Sequence, residues 1–211
     1  MRVALVSLVV LAVAGPVLAQ QAAPTNEPSK PASSPKPGDI VTNPEYAQWA
    51  GFAVGTSVTQ KEAVTLADGT VVESLMTAKL VSKNDKTLTV ETTVVAVEAA
   101  KPVDAADETK TLTTYPDKVK FEDIQTPESD GYSVTAGKEV LDVKGKRIEA
   151  EWVEASTTNS DGSVTEKDWY TSEVPGGLVK QTVTKKKGAQ VTSQSMLELV
   201  DVKAKREAKK Q

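Results

Sequence analysis

The stretch that decides the fold is residues 87–97, which read TLTVETTVVAV. Leu88, Val90, Thr92, Val94 and Ala96 alternate with more polar neighbours. Such alternation is typical of a strand with one buried face, because successive side chains of a strand point to opposite sides. The segment therefore predicts an antiparallel strand that covers a core on one side.

Similar Val- and Thr-rich segments lie on both sides of it, separated by turn sequences such as Asp68-Gly69 and Lys144-Gly145. The predicted strands are 56–66, 70–82, 87–97, 109–115, 138–143, 147–156, 163–172, 178–185 and 190–202. In the sixth, we expect Ile148, Ala150 and Trp152 on one side and the glutamates in solvent (Glu149, Glu151 and Glu154). Residues 118–137 lack clean periodicity and predict a connecting loop.

One short helix precedes the strands. Asn43 is a suitable N-cap, Pro44 suits the first helical position and Gly51 suits the end. Helical spacing places Tyr46, Trp49 and Ala50 on one face, which we expect to dock on the core. The predicted fold is mainly β: a strongly curved antiparallel sheet of about nine strands, either a half-barrel or a barrel, with the helix covering its concave face.

The ends of the chain have a different composition from the predicted domain, 39–202. Residues 1–19 combine Arg2 with an apolar run and small residues, which predicts a cleaved signal peptide. Residues 20–38, rich in Pro, Ala and Ser, predict a disordered linker, and 203–211 predict a basic disordered tail. Gln20 stands where a lipoprotein needs Cys. We therefore expect an exported, unlipidated protein, periplasmic or extracellular, with no membrane anchor after cleavage.

The composition restricts the chemistry. The chain has no Cys and no His, which removes disulfides, thiolate nucleophiles and His-dependent triads. Residues 159–162 resemble the start of a calcium loop, but Tyr170 stands where the bidentate Glu is required, so a hairpin turn is expected. No metal or cofactor motif is found. The net charge of −4 argues against a nucleic-acid partner.

Two segments carry a resemblance to known proteins. Residues 168–180 read DWYTSEVPGGLVK, and 43–55 follow the pattern Asn-Pro-x-Tyr-x-x-Trp-x-x-Phe-x-x-Gly. Together they resemble a group of uncharacterised secreted bacterial β-sheet proteins. More distantly, the tryptophan strand and Pro-Gly corner are similar to the lipoprotein-carrier (LolA/LolB-like) superfamily. That resemblance implies a curved sheet with a helical lid around an apolar cavity for acyl chains. One short helix and Thr-rich strands depart from the carriers, so no carrier residue is transferred to this chain.

The leading hypothesis is a non-enzymatic binding or interaction module of the cell envelope. Its partner is expected to be a hydrophobic small molecule or an envelope protein. Trp49, Trp152 and Trp169 are the candidate residues to line a cavity, because aromatic side chains are expected on the inner side of a curling sheet. A structural or scaffolding protein is the first alternative. A hydrolase that uses two carboxylates is the second, and it needs a pair facing each other across a groove.

Overall fold

The computed structural model describes residues 35–97, 108–124 and 131–206. Eleven strands and one α-helix account for most of them. In chain order these are β1 (Ile40–Thr42), α1 (Pro44–Ala50), β2 (Ser57–Leu66), β3 (Val71–Lys83), β4 (Thr87–Val97), β5 (Glu108–Pro116), β6 (Lys118–Lys120), β7 (Tyr132–Val143), β8 (Lys146–Asn159), β9 (Gly162–Tyr170), β10 (Leu178–Lys187) and β11 (Gln190–Lys203). A 3-10 turn, Phe121–Ile124, follows β6.

Nine of the strands form one antiparallel sheet in the order β5-β4-β3-β2-β11-β10-β9-β8-β7. The sheet consists of two meanders, β2 to β5 and β7 to β11, which are joined where β2 pairs with β11. Within the described residues β5 and β7 are the two edges and do not pair with each other, so the sheet is open. The predicted class, a mainly β fold with a nine-stranded antiparallel sheet and one short helix, is confirmed, and of the two predicted forms the closed barrel is excluded.

Helix α1 begins and ends as its sequence predicts. The side chain of Asn43 accepts a hydrogen bond from the amide of Glu45, Pro44 occupies the first turn, and Gly51 is the C-cap. Trp49 is buried, and together with Phe52 it packs on apolar side chains that project from one side of the sheet. These side chains are Val58, Leu80, Leu88, Val90, Val179 and Leu199. We call this side of the sheet the helix face and the other side the open face.

The structure corrects two predicted boundaries. Residues 118–137 are not simply a loop, because β6 lies within them and β7 already begins at Tyr132. Strand β6 pairs with β1, with Val41 opposite Val119, in a separate two-stranded sheet that the sequence did not predict. The basic tail does not separate from the domain at residue 203, since Lys205 hydrogen-bonds the 53–56 loop and Arg206 lies over the ring of Phe52.

The signal peptide at 1–19, most of the linker and the last five residues lie outside the described residues. In the parts of the chain that the structure describes, no helix has the length and apolar character needed to cross a membrane.

Candidate functional site

The strand register shows which side chains share the helix face. Residues directly opposite each other on neighbouring strands project to the same side of a sheet. Starting from buried Leu197 on β11, the register leads to Gln181 on β10 and then to Asp168 on β9. Asp168 is itself opposite Val153 on β8. A carboxylate therefore lies in an apolar row of the helix face.

Four polar residues gather at this point, and we call them the acid cluster: Glu166, Asp168, Tyr170 and Gln181. The first three alternate along β9, and Gln181 is the cross-strand partner of Asp168. Gln181 Nε2 donates a hydrogen bond to Glu166 Oε1 at 2.7 Å. The hydroxyl of Tyr170 donates to Asp168 Oδ2 at 3.2 Å. The β-strand repeat places the two carboxyl-bearing residues about 7 Å apart along the strand.

Asp168 is the most enclosed member of the acid cluster. Only 6% of its surface is exposed, and its second oxygen, Oδ1, is buried with no hydrogen-bond partner among the described residues. A buried polar atom without a partner is unusual in native proteins and costs free energy. Asp168 Oδ1 is therefore a hydrogen-bond acceptor that the fold itself leaves unused.

Burial changes the protonation of both carboxyls. Burial, together with the negative charge of Asp168, raises the pKa of Glu166 from 4.5 to about 7, against the opposing hydrogen bond from Gln181. Burial also raises the pKa of Asp168, although Gln181 and Tyr170 oppose this shift. No Lys or Arg of the described residues lowers the pKa of either carboxyl. The acid pair therefore has no cationic partner of its own.

Other acidic groups surround the acid cluster on the helix face. Glu62 on β2 accepts a hydrogen bond from Ser74, and burial raises its pKa. Burial likewise raises the pKa of Glu45 at the start of α1. Burial raises the pKa of Tyr170 above its ordinary value, and the charges of Asp168 and Glu45 add to that shift. This end of the sheet is thus a poorly solvated region with excess negative charge.

The acid cluster does not have the composition of a metal site. Among the described residues there is no group of three or more His, Cys, Asp or Glu side chains that could hold a metal ion. Glu166 can instead hold and release a proton near neutral pH, and both residues can accept hydrogen bonds. Binding a donor or a cation is the chemistry that the unpaired acceptors favour.

The structure brings together two of the three predicted tryptophans. Trp152 and Trp169 are direct cross-strand partners on the open face. Trp49 lies on the helix face, where its ring packs close to Gly176. The three indoles therefore lie on two different sides of the sheet, and their role in binding a ligand stays a prediction.

The open-face tryptophans have well-defined partners. Lys167 Nζ lies 4.1 Å from the ring centroid of Trp152 and 4.7 Å from that of Trp169. The indole N–H of Trp169 donates to Glu139 Oε1 at 2.7 Å, and Lys167 lies 3.9 Å from the other oxygen of Glu139. A Cβ at Gly137 would lie 2.7 Å from the ring of Trp152, so that indole covers the glycine of edge strand β7. These contacts hold β7, β8 and β9 together.

Sequence reasoning missed the acid cluster because it examined the glutamates of the neighbouring strand. Glu151 forms an ion pair with Lys138, and Glu149 is exposed, as expected for solvated carboxylates. Register places Glu154 on the same side as Trp152. The sequence of β10 contains an indication of the acid cluster. Gln181 stands between Val179 and Val183 at alternate positions of the strand, where an apolar residue is expected.

Comparison with known proteins gives structural likenesses of low score. An exported protein with a YmcC-like fold from Bacteroides fragilis has a TM-score of 0.37 at 12% identity, covering 71% of this chain and 97% of that chain. A domain described as outer membrane lipoprotein-sorting, from Vibrio parahaemolyticus, has a TM-score of 0.26 at 9% identity, with 79% and 91% covered. A LolA superfamily protein from Nitrosomonas europaea has a TM-score of 0.22 at 12% identity, with 79% and 92% covered. No protein-family model and no curated protein matches the chain.

Proposed function

We propose that the protein is an exported, non-enzymatic binding module whose ligand lies on the helix face. The observation that carries the proposal is the acid cluster: two enclosed carboxyls without a counter-charge, one oxygen of which has no hydrogen-bond partner, within an apolar row of the helix face. Helix α1 contacts β4 and β5, and its Trp49 also packs in one cluster with Val179 at the start of β10. A binding site for a ligand with an apolar body and a polar group fits this arrangement.

The apolar body of the ligand would lie along one cross-strand row, which we call the trough. It runs from β7 to β3 and includes two polar residues, Glu166 on β9 and Ser195 on β11. Its apolar members are Val134, Ala155, Val183, Val64 and Val72. Seven strands span about 29 Å at the usual spacing, which is sufficient for an extended alkyl chain. Val72 and Val134 at its two ends are exposed, so apolar surface is available to a ligand.

A carboxylate-based hydrolase is the second candidate, and one observation favours it. Glu166 and Asp168 are two residues apart on β9, so both carboxyls project from the same face of the sheet, and glycoside hydrolases also use a pair of carboxyls. Asp168, however, is almost completely buried, and a hydrolytic water needs access to the carboxylate that activates it. Binding therefore remains the proposed function. Turnover of a panel of aryl glycosides, abolished by Glu166→Gln, would favour the hydrolase instead.

Two adjacent valines offer a matched test of the trough. Val72 lies on the helix face at its edge, 51% exposed, and Val71 lies on the open face, 55% exposed. Binding of the neutral apolar probe N-phenyl-1-naphthylamine is measured by fluorescence for the wild type, Val72→Glu and Val71→Glu. A charge in the trough is expected to weaken binding about tenfold, whereas the same charge on the open face leaves it unchanged.

Both valines are exposed, so both variants are expected to fold, and circular dichroism checks this. A wild type that does not bind the probe, or equal losses in the two variants, would show that the trough is not the binding site. A pull-down from envelope extract addresses the scaffolding alternative. A stoichiometric protein partner retained by Val72→Glu would favour that role.

A further inference from the structure

The acid pair, Glu166 and Asp168, lacks a counter-charge that the rest of the sheet provides to its carboxylates. Glu73, Glu151 and Glu198 each form an ion pair with a lysine on a neighbouring strand. Glu166 has only an amide donor, and Asp168 has a hydroxyl donor and one oxygen with none. The two carboxyls of β9 therefore have less compensating positive charge than the more exposed carboxylates of Glu73, Glu151 and Glu198.

The charges around the pair strengthen this imbalance. On β9 itself the neighbour on the same face is Tyr170, and on β8 it is Glu151, already paired with Lys138. Glu62 on β2 and Glu45 on α1 add further negative groups. Lys185 on β10 shares this face but lies at the exposed end of the strand, opposite Val164. The field at the acid pair favours a cation.

We infer that the ligand of the helix face is an amphiphile with a protonated primary amine, whose ammonium binds to the accessible carboxylate of Glu166, beside the buried Asp168, while its alkyl chain lies in the trough. This inference rests on the proposed function. An ammonium offers three donors and no acceptor, which matches a site that has spare acceptors and a spare negative charge. An alcohol has one donor and no charge, and a carboxylate is repelled.

Glu166 is the direct contact, because it is the more accessible of the two carboxyls and its Oε2 is not engaged by Gln181. Asp168 lies deeper, does not contact the ligand, and contributes its negative charge. Two enclosed carboxylates gain more from a shared cation than an exposed pair does, because water screens them less. The selectivity for an amine should therefore depend on both residues.

The experiment compares three ligands that differ only in the head group. Decylamine, decanol and decanoate displace N-phenyl-1-naphthylamine from the protein at about pH 8, where the amine is protonated and Glu166 is ionised. We expect decylamine to displace the probe at a concentration about tenfold below that of decanol, and decanoate to be the weakest. Lysophosphatidylethanolamine is tested alongside. Displacement at decylamine-like concentrations assigns the amine to a lipid head group, and weaker displacement assigns it to a free alkylamine.

Glu166→Gln and Asp168→Asn keep the shape of each side chain and remove its charge. Each is expected to reduce the preference for decylamine over decanol, measured as the ratio of their displacing concentrations on the same variant, to less than about threefold. Glu198→Gln, on the open face, is the matched control and should keep the full preference. Both buried substitutions remove a carboxyl whose pKa burial raises, so neither is expected to impair folding.

The possible failures are distinguishable. Equal displacement by decylamine and decanol, or an amine preference that survives Glu166→Gln and Asp168→Asn, overturns the amine inference and leaves the binding function standing. If the probe does not bind the wild type at all, the proposed function fails together with the inference.

Discussion

The charged side chains of strand β9 are paired differently on its two sides. On the open face, Lys167 lies over the rings of Trp152 and Trp169 and approaches Glu139, while the indole of Trp169 donates to the same glutamate. On the helix face, Glu166 and Asp168 share one amide and one hydroxyl and face no cation. Alternate residues of one strand are thus fully satisfied on one side and incompletely satisfied on the other.

This comparison of the two faces separates aromatic residues that stabilise the fold from polar residues that are available for binding. A cluster in which every charge and donor has a partner has little left to offer a ligand. A cluster with a buried acceptor and an uncompensated charge has a reason to bind one. The tryptophans suggest a binding site on the open face. The carboxyls that lack partners suggest one on the helix face.

Trp169→Ala should give the largest loss of stability. The indole is 7% exposed and packs with Trp152 and Lys167, so its removal leaves a cavity and an unpaired Glu139 oxygen. We expect the free energy of unfolding to fall by about 3–5 kcal/mol, measured by urea denaturation. Trp169→Phe keeps most of the packing and should cost about 1 kcal/mol for the lost hydrogen bond. A loss below about 1 kcal/mol for Trp169→Ala would contradict the structural role of the open face.

On the helix face, the expected effect is a pH-dependent change in the free energy of unfolding, which arises from Glu166. Burial raises the pKa of Glu166 from 4.5 in the unfolded chain to about 7 in the folded protein, so the folded state binds the proton more tightly. Stability attributable to Glu166 is therefore highest below about pH 4.5 and declines as the pH rises towards 7. Because the side chain is partly solvated, we expect a decline on the order of 1–2 kcal/mol.

The measurement is the difference between wild type and Glu166→Gln in unfolding free energy across that pH range. Taking the difference cancels the contribution of Glu62, whose pKa burial also raises, and keeps the coupling between Glu166 and Asp168. The variant should become the more stable protein at neutral pH. For Glu198→Gln, which removes an exposed carboxylate, the unfolding free energy should change with pH in the same way as that of the wild type. A pH-independent difference for Glu166→Gln would show that its carboxyl is well solvated.

Most of the sheet was predictable from local pattern. All nine predicted strands occur, because Val and Thr alternation and Gly-containing turns define hairpins within about ten residues of sequence. The pairing of β2 with β11 joins segments far apart in the chain, and no local pattern specifies it. The first half of β7 was missed because Ser133, Val134 and Thr135 are all exposed at the sheet edge, so burial imposes no alternation there.

The candidate site was not predictable to the same degree. Three tryptophans are visible in the sequence, but the side of the sheet on which each lies depends on register, which the sequence specifies only through tertiary packing. Asp168 next to Trp169 is read as a polar neighbour of a core residue. Its burial follows from Val153 on the adjacent strand and Leu197 two strands away on the other side, which only the register brings into one row.

Lys167→Ala should give the smallest of the predicted losses of stability, and one that still distinguishes the open face from the helix face. The ammonium lies between two indole rings and near Glu139, so its removal should cost about 1 kcal/mol of unfolding free energy. Lys185→Ala is the matched control, since Lys185 lies on the helix face of the adjacent strand, is exposed, and should change stability by less than about 0.5 kcal/mol. Equal effects in the two variants would mean that Lys167 is no better integrated than a surface lysine. In that case the contrast between the two sides of β9 would rest on Trp169 and Glu139 alone.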